Sequence, residues 1–297
     1  MAATVRAFTL QARAKFNMRV EIGAPGADGL HPIHSLIGDL AVCDQVEFAP
    51  SDRGFSVTCD EPSLSQEANL AYRAAKALGL SLPRVDVRIA KRIPLQAGLG
   101  GGSTDAAATL RGLADVLGAT GVTVGPEALA RAAARIGSDV AACLVPGFKI
   151  VTGTGELVDP LDAPLPPWGV LLLKPSIGVD TATAYRLLDA HGATGRGLDD
   201  GRSQMQRLVD ALKRTDFGAA CSVMHNDFQA TIEAAYPPVA EAVRRLEQAG
   251  AQIAILCGSG ACVAGLYPTV NDAVTAGARL QTHPEEWTCA TGFAHDR

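Results

Sequence analysis

The chain has 297 residues, which is long enough to bury a sizeable core and to form two domains. Its net charge of −5 argues against general binding to nucleic acids or to anionic membranes, so a polyanionic ligand would need local groups to hold it. The sequence has neither a signal-like start nor an apolar run of membrane-spanning length, and we expect a cytoplasmic protein.

Helix-like and strand-like segments alternate along the chain in a mixed α/β pattern without an evident internal repeat. Ser63 and Gln66 resemble a capping box for a helix that ends near Leu78. Apolar residues then alternate with polar ones over positions 85–89, which predicts a half-buried strand. This strand leads directly into a glycine-rich segment.

The glycine-rich segment reads PLQAGLGGGSTDAAATL, from Pro94 to Leu110, and its second half is helical in character. Glycines let backbone N–H groups approach an anion, and the helix that follows adds the positive end of its dipole. The lysine that ends a Walker A loop is missing, and Ser103 and Asp105 stand where a dinucleotide fingerprint needs its third glycine. The sequence therefore predicts a nucleotide phosphate loop of neither type.

Beyond this loop, Pro126 is placed to open a helix that runs through Ile136 and stops at Gly137. Prolines between Asp159 and Trp168 mark the best boundary between two lobes. The pattern then predicts a buried strand, three helices and a second strand, at 170–173, 181–188, 204–213, 239–249 and 252–256. The second strand meets another glycine turn, CGSGAC (257–262), for which we expect a strand, turn, strand form.

Three other patterns favour structural interpretations. The seven cysteines include no CxxC pair, so we interpret them as buried free thiols. The six histidines are equally dispersed, and we predict no structural zinc. Asp216-Phe217-Gly218 spells the metal triplet of protein kinases, but no His-Arg-Asp loop accompanies it, and we interpret the match as chance.

Three separated motifs together resemble the GHMP small-molecule kinases. They are ARAKFNMRV around Lys15 and Asn17, the glycine loop with GSTDAA, and CGSGACV near the C terminus. Further segments span nearly the whole chain in the family's order, namely DGLHPIHS, GSDV, GTGE, GVDTATAY and NDF. These segments make the chain most similar to the members that phosphorylate a cytidine diphosphate-linked methylerythritol.

The resemblance implies an α+β fold of two lobes with the active site in the cleft between them. Residues 1–162 would form an ATP-binding lobe of the ribosomal protein S5 domain 2-like type, and residues 163–297 a ferredoxin-like lobe. The implied reaction is transfer of the γ-phosphate of ATP to the acceptor 2-hydroxyl in non-mevalonate isoprenoid synthesis, with Mg²⁺ expected. As partners we expect small molecules only, and a monomer or homodimer.

Two alternatives stay open for the function. One is a GHMP kinase for another acceptor, such as homoserine, mevalonate or a sugar. The other is a catalytically silent nucleotide-binding protein that retains the loop.

The resemblance assigns roles to individual residues. Asp139 would be the general base, and Lys15 would hold it ionised and neutralise the moving phosphoryl group. ATP would be bound by Lys91, Pro94, Gly98, Leu99, Gly100, Gly101, Gly102, Ser103 and Thr104. The acceptor would be bound by Asn17, His31, Thr181 and Tyr185, with His31 hydrogen-bonding to the cytidine end and Tyr185 stacking on it.

Several of these residues have structural alternatives. Asp139 could cap a short helix, and Lys15 and Lys91 could be solvated lysines of strands. Ser103 and Thr104 could contact phosphate or Mg²⁺ or cap their helix, and we favour phosphate contact for Ser103. We interpret Asp105 as a first-turn acid favoured by the helix dipole.

The sequence departs from the family pattern in the cytidine-binding segment. Leu30 stands where the family has a tyrosine, so one half of the expected cytosine sandwich is missing. Tyr185 alone would then stack on the base. His31 could instead be a surface turn residue, and Tyr185 a core residue with its hydroxyl at the rim.

Overall fold

The computed structural model describes residues 6–61, 63, 64, 66–192 and 198–294. The chain forms two compact units that interleave in the sequence. The first unit contains Met1–Ala14, Cys43–Ile93 and Gly100–Val145, and the second contains Lys15–Val42, Pro94–Leu99 and Pro146–Arg297. Strands β1 (Phe8–Ile22) and β2 (Ile33–Pro50) therefore contribute to both units. The lobe boundary expected after residue 162 stays a prediction.

The first unit packs helices against strands around an apolar core. Its further elements are β3 (Ser56–Cys59), α1 (Leu70–Ala77), β4 (Val85–Ala90), α2 (Gly101–Ala119), α3 (Pro126–Ala134) and α4 (Ser138–Leu144). β4 pairs with β2 antiparallel and with β3 in parallel. The alternation at 85–89 is confirmed as a strand, because Val85, Val87 and Ile89 are buried. They share a core with Phe48 of β2 and Leu113 of α2.

The start of α1 differs from the sequence prediction. Asn69 is its N-cap, and the Asn69 side chain accepts the N–H of Ala71 at 2.9 Å. The predicted capping box at Ser63 is wrong, because Ser63 donates its hydroxyl to Glu61 at 2.8 Å and a short 3₁₀ turn, Gln66–Ala68, intervenes. The end of α1 near Leu78 is confirmed.

Pro126 opens α3 at its first turn, as predicted. The helix ends at Ala134 rather than at Ile136, and the N–H of Ile136 donates to the carbonyl of Ala133 at 2.9 Å. This hydrogen bond spans three residues, as in a 3₁₀-helix, and so tightens the last turn. Gly137, predicted as a helix stop, is instead the N-cap of α4.

The second unit continues β1 and β2 and adds a second sheet. Its further elements are β5 (Phe148–Thr152), β6 (Leu157–Leu161), β7 (Gly169–Lys174), α5 (Thr181–Ala190), α6 (Leu198–Lys213), α7 (Phe217–Cys221), β8 (His225–Asn226), α8 (Gln229–Ala235), α9 (Pro237–Gln248), β9 (Ile253–Leu256), β10 (Val263–Tyr267), α10 (Val270–Arg279) and β11 (Trp287–Gly292). β8 pairs with β1 in parallel, and β5 pairs antiparallel with β2 and β6. Pro160 of the proline-rich stretch lies in β6, an edge strand among the described residues, where proline is tolerated.

The second sheet confirms the ferredoxin-like prediction for the C-terminal part. Its strands follow the order β11-β7-β10-β9, and every neighbouring pair is antiparallel. Helices connect β7 to β9 and β10 to β11, which gives the β-α-β-β-α-β arrangement. The strands predicted at 170–173 and 252–256 are β7 and β9, and the three predicted helices are α5, α6 and α9.

Two other sequence interpretations concern residues of this second unit. Asp216 is the N-cap of α7, and its carboxylate accepts the N–H of Ala219 at 3.0 Å, which agrees with a structural role for the kinase-like triplet. Cys221, Cys257 and Cys262 are buried, whereas Cys289 is half-buried.

Across the described part of the chain, no helix is both long and apolar enough to cross a membrane.

Two glycines of α2 provide a matched test of its packing. A Cβ at Gly112 would lie 2.1 Å from Cζ of the buried Phe48, whereas nothing lies within 4 Å of a Cβ at Gly118. We expect Gly112→Ala to lower the free energy of unfolding by about 1–3 kcal/mol, because Phe48 must move within a packed core. Gly118→Ala should raise it by up to about 1 kcal/mol, since alanine favours the helix. Urea unfolding measures both changes, and equal stabilities would contradict this packing.

Candidate active site

The second half of β1 carries a row of buried polar side chains. Lys15, Asn17, Arg19 and Glu21 occupy alternate positions and so share one face of the strand. Each of the four is less than one-tenth exposed. Buried polar groups are costly unless they are paired. Here Arg19 Nε donates to Glu21 Oε1 at 2.6 Å, and Lys15 Nζ donates to Asn17 Oδ1 at 2.8 Å.

Lys15 is fixed at both its backbone and its side chain. It is 6% exposed, so the alternative of a solvated strand lysine is wrong. Its backbone N–H donates to the carbonyl of Leu99 at 2.9 Å, which ties β1 to the segment Pro94–Leu99. The ammonium lies beside the glycine turn, because a Cβ at Gly258 would be 2.9 Å from Lys15 Nζ.

The segment Pro94–Leu99 is bound to the glycine turn Cys257–Cys262 by main-chain contacts. The N–H groups of Ala261 and Cys262 donate to the carbonyls of Gln96 and Ala97, at 3.1 and 3.2 Å. This turn joins β9 to β10, which confirms the predicted strand, turn, strand form.

Gly98 shows why this segment requires glycine. Its φ is +73°, in the left-handed region. A Cβ at this position would lie 1.8 Å from the carbonyl oxygen of Cys257, so no other residue fits without moving the backbone. The first of the clustered glycines therefore permits the close approach of the two glycine-containing segments.

Asn226 holds the glycine turn from β8. Its Nδ2 donates to the carbonyls of Leu256 and Gly258, at 2.7 and 2.8 Å, and its Oδ1 accepts the N–H of Phe228 at 2.9 Å. Asn226 is 3% exposed, so these bonds supply partners for a buried amide. Asn226 is the first residue of the NDF segment, and the sequence alone predicted no role for its side chain.

Thr181 contacts the middle of the glycine turn. It is the first residue of α5, and its hydroxyl lies 3.0 Å from Oγ of Ser259. Asp180 caps this helix by accepting the N–H of Thr183 at 3.0 Å. The cap fixes where α5 begins, and with it the position of the Thr181 side chain.

His31 and Tyr185 stack on each other, with ring centroids 4.9 Å apart and an interplanar angle of 29°. His31 Nδ1 lies 3.0 Å from the carbonyl oxygen of Gly23, which only accepts, so Nδ1 carries a hydrogen. His31 Nε2 lies 3.4 Å from Oδ2 of Asp189. His31 is 9% exposed, and the surface-turn alternative is wrong.

The ring of Tyr185 is held by α5 between two aromatic neighbours. It packs edge-on against Phe228, with centroids 4.9 Å apart, and its side chain is half-buried. Leu30, which precedes His31 in the chain, is 53% exposed. The aromatic pair at this site therefore consists of His31 and Tyr185.

In the first unit, the N-terminus of α2 has the form of an anion site. Gly100 is the N-cap in the left-handed conformation, and no described side chain caps this helix. The first helical bond runs from the N–H of Thr104 to the carbonyl of Gly100 at 2.8 Å. The preceding N–H groups have no intrahelical acceptor, and the helix dipole favours an anion near them. The capping alternatives for Ser103 and Thr104 are wrong, and Thr104 donates its hydroxyl to the carbonyl of Gly101.

Lys91 lies in a buried cluster of charges at the same helix end. Its Nζ is 2.5 Å from Oδ2 of Asp44 and 2.7 Å from Oδ2 of Asp105, and its side chain is 9% exposed. The solvated alternative for Lys91 is therefore wrong. A Cβ at Gly101 would lie 3.2 Å from Lys91 Nζ, so the ammonium supports the first turn of α2. Direct contact of Lys91 with ATP stays a prediction.

Asp105 also differs from its interpretation as a first-turn acid. It is the fifth residue of α2 and is 2% exposed. Burial raises the pKa of Asp105 to about 7, with Asp44 acting in the same direction and Lys91 against it. Its Oδ1 has no hydrogen-bond partner among the described residues. Two carboxylates thus share one ammonium in a dry site.

Asp139 is the second residue of α4, and Gly137 occupies the N-cap position. Asp139 therefore does not cap the helix. Its side chain is half-buried, and a carboxylate in the first turn is favoured by the helix dipole. Asp139 belongs to the first unit and Lys15 to the second, and their joint action on one hydroxyl stays a prediction.

Sequence reasoning missed three residues of these arrangements. Asn226 could have been found, because it lies in the NDF motif. Ser35, which accepts a hydrogen bond from Asn17 Nδ2 at 2.8 Å, closes the quoted segment DGLHPIHS, but its partner lies 18 positions away along the chain. Asp44 lies in no quoted motif, and its partner Lys91 is 47 positions away. Such pairs form only when strands take their register.

Comparisons with known proteins identify the family of this chain. Residues 69–147 match the GHMP kinases N terminal domain, and residues 208–286 match the GHMP kinases C terminal domain. A 4-diphosphocytidyl-2-C-methyl-D-erythritol kinase of Moorella thermoacetica is 37% identical over 93% of this chain and 96% of its own length. The chain belongs to this family of GHMP kinases.

Other relatives support the same family. The kinase of the same name from Shouchella clausii is 35% identical over 87% of this chain and 85% of its own length. A crystal structure of 4-(cytidine 5'-diphospho)-2C-methyl-D-erythritol kinase shares 26% identity with a TM-score of 0.76, covering 96% of this chain and 99% of its own. Homoserine kinase from Cytophaga hutchinsonii, at 16% identity and a TM-score of 0.72 over 99% of this chain and 97% of its own, shares the fold.

The Asp105 cluster predicts a pH-dependent stability. A carboxyl whose pKa is raised by folding binds more protons in the folded state, so the free energy of unfolding falls as pH rises toward about 7. Asp105→Asn removes this titration, while Asp44 remains as the ion-pair partner of Lys91. We expect the variant to lose about 1–3 kcal/mol less stability than the parent between pH 5 and pH 8. Urea unfolding at both pH values measures this.

A matched control lies on the same helix. Asp115 is exposed, and Asp115→Asn should leave the pH dependence of stability as in the parent. Identical pH profiles for Asp105→Asn and the parent would contradict the buried charge cluster.

Proposed function

We propose that this kinase transfers the γ-phosphate of ATP to the 2-hydroxyl of 4-diphosphocytidyl-2-C-methyl-D-erythritol. The observation that carries the proposal is the buried Lys15 ammonium beside the backbone of Gly258, where the glycine turn meets the segment Pro94–Leu99. A cation fixed among main-chain groups of two glycine-containing segments suits a negatively charged phosphoryl group. The names of the relatives supply the identity of the acceptor.

The proposed triphosphate site uses the uncapped start of α2. The N–H groups of Gly101, Gly102 and Ser103 precede the first helical hydrogen bond, and such groups bind phosphate in many proteins. Pro94, Gly98 and Leu99 would line the nucleotide from the preceding segment, and Lys91 would support the helix start. Magnesium, if it accompanies the nucleotide as the kinase family implies, would supply charge neutralisation there. Within the described chain, no trio of His, Cys, Asp or Glu side chains is grouped to hold a metal by itself.

The proposed chemistry is carried by Asp139 and Lys15. Asp139 would accept the proton of the 2-hydroxyl as the P–O bond forms, which is worth about 10²–10⁴-fold in rate. Lys15 would stabilise negative charge on the phosphoryl group in flight. Phosphoryl transfer needs mainly alignment and charge stabilisation, and both residues are well suited to supply them.

The proposed acceptor specificity lies in the stacked pair His31 and Tyr185. A flat pyrimidine could extend this stack, and the polar edge of His31 could bind its ring atoms. Thr181 and Asn17 would bind the erythritol part. Because substrates of this kind are soluble metabolites, we place the enzyme in the cytoplasm.

Substitution of the two proposed catalytic residues tests the function. Asp139→Asn and Lys15→Met should each lower kcat by about 10²-fold or more, while ATP binding is retained, because the loop amides are unchanged. ADP release with the cytidine diphosphate substrate measures kcat, and titration calorimetry measures ATP binding. Glu127→Gln is the control, since Glu127 is an exposed first-turn acid of α3 in the same unit as Asp139.

Three outcomes of that assay are informative. Turnover of Asp139→Asn within twofold of the parent would contradict its role as base. Turnover by the parent with homoserine or mevalonate, but not with the cytidine substrate, would identify another acceptor. ATP binding without turnover of any of these acceptors would indicate a silent nucleotide-binding protein.

Leu30 provides a test of cytidine recognition. Because Leu30 is exposed beside His31, Leu30→Tyr should add an aromatic surface for the base. A stacking gain of about 1 kcal/mol would lower KM for the cytidine substrate about fivefold, with KM for ATP unchanged. Leu80→Tyr, at another exposed leucine, is the control. An equal effect of both substitutions would place the cytidine end elsewhere.

A further inference from the structure

The polar contacts of Lys15 continue inward beyond Asn17. Asn17 Nδ2 donates to Oγ of Ser35 at 2.8 Å, and Ser35 Oγ donates to the backbone carbonyl of Arg19 at 2.8 Å. Ser35 is completely buried, and Asn17 is 6% exposed. The three side chains therefore form a hydrogen-bonded relay that is shielded from water.

The direction of every hydrogen bond in the relay is determined. An ammonium only donates, so Asn17 must present Oδ1 to Lys15 and its NH₂ group to Ser35. Ser35 accepts this bond and uses its own hydrogen for the Arg19 carbonyl. No second orientation of the Asn17 amide satisfies both neighbours.

The inner end of the relay is anchored in sheet backbone. Ser35 pairs with Val151 in the ladder between β2 and β5, and Arg19 pairs with His225 between β1 and β8. A hydroxyl and a carbonyl held by neighbouring ladders have little freedom. Because Ser35 is held by the sheet, it restricts the Asn17 amide, and Asn17 in turn restricts the Lys15 ammonium.

We propose that Ser35 is a positioning residue for Lys15. It locks the Asn17 amide in the one orientation that holds the ammonium beside Gly258. This inference rests on the proposed function, because it gives Ser35 a purpose in phosphoryl transfer. Ser35 itself touches neither ATP nor acceptor in this role.

Loss of the Ser35 hydroxyl should act on the chemical step. In Ser35→Ala, a buried Asn17 N–H group loses its acceptor, and the amide is free to turn away from Lys15. A catalytic group misplaced by about 1 Å can cost up to about 10²-fold in rate. KM for ATP should stay within about twofold, since the loop amides do not depend on the relay.

A double-mutant cycle separates positioning from a general structural effect. We expect Ser35→Ala to lower kcat for ADP release by about 10- to 100-fold in the parent, and by less than about twofold in the Asn17→Ala background. Ser35→Thr keeps the hydroxyl and should retain more than about one-third of kcat. The control is Thr291→Val, which removes another buried hydroxyl of the same unit and should not change kcat.

A second measurement is independent of turnover. The chain has six lysines, so lysine-labelled protein gives a simple ¹H–¹⁵N ammonium spectrum in which Lys15 is assigned by its absence from Lys15→Met. Ser35→Ala should shift or broaden the Lys15 signal and leave that of the buried Lys149 unchanged. Ser35→Thr should retain the parent signal. The Lys149 signal also reports whether each variant is folded.

The outcomes distinguish this inference from the proposed function. Equal losses of kcat from Ser35→Ala in both backgrounds, or an unchanged Lys15 signal, would overturn the positioning role. If the parent enzyme is inactive with the cytidine substrate but Ser35→Ala gives the expected spectral change, the proposed acceptor is wrong. The positioning of Lys15 by Ser35 would then still be supported.

Discussion

The burial of one lysine ammonium is the constraint on which the rest of the site depends. Transfer of such an ion from water costs several kcal/mol unless polar partners replace the lost hydration. Lys15 obtains partners from its own strand, where Asn17 follows on the same face, and Asn17 in turn needs Ser35. The polar residues at positions 17 and 35 are thus required by the burial of this cation.

The glycines of the site follow from the same constraint. Lys15 is held where two glycine-containing segments meet, and backbone can come this close only where side chains are missing. Gly98 lies against the carbonyl of Cys257, and Gly258 lies against the ammonium itself. Asn226 then holds the start of the glycine turn, because it binds the carbonyls of Leu256, at the end of β9, and of Gly258. The glycines, the polar residues of β1 and the NDF motif are far apart in the sequence, but in the fold they form one site around the Lys15 ammonium.

Two buried lysines of the described structure, Lys91 and Lys15, lie in different surroundings. Lys91 stands immediately before the glycine loop, and its ammonium is held between the carboxylates of Asp44 and Asp105. This cluster supports the first turn of α2. The raised pKa of Asp105 shows that burial of its charged form is unfavourable. The Lys15 ammonium lies beside a glycine turn and donates to the Asn17 amide. In the proposed function, Lys91 would support the start of the helix and Lys15 would take part in the chemistry.

The sequence by itself determined the local elements and the family. The strand at 85–89, the helix opened by Pro126, and the strand and glycine turn at 252–262 follow from periodicity and turn residues within a few positions. Only the tertiary structure decided which polar groups meet. His31 stacks on Tyr185, and Asn17 binds Ser35, because strand register and helix packing bring distant positions together. Burial excluded the solvated alternatives for Lys15 and Lys91 and the surface-turn alternative for His31. It is likewise a property of the whole fold, since it depends on neighbours that no local pattern specifies.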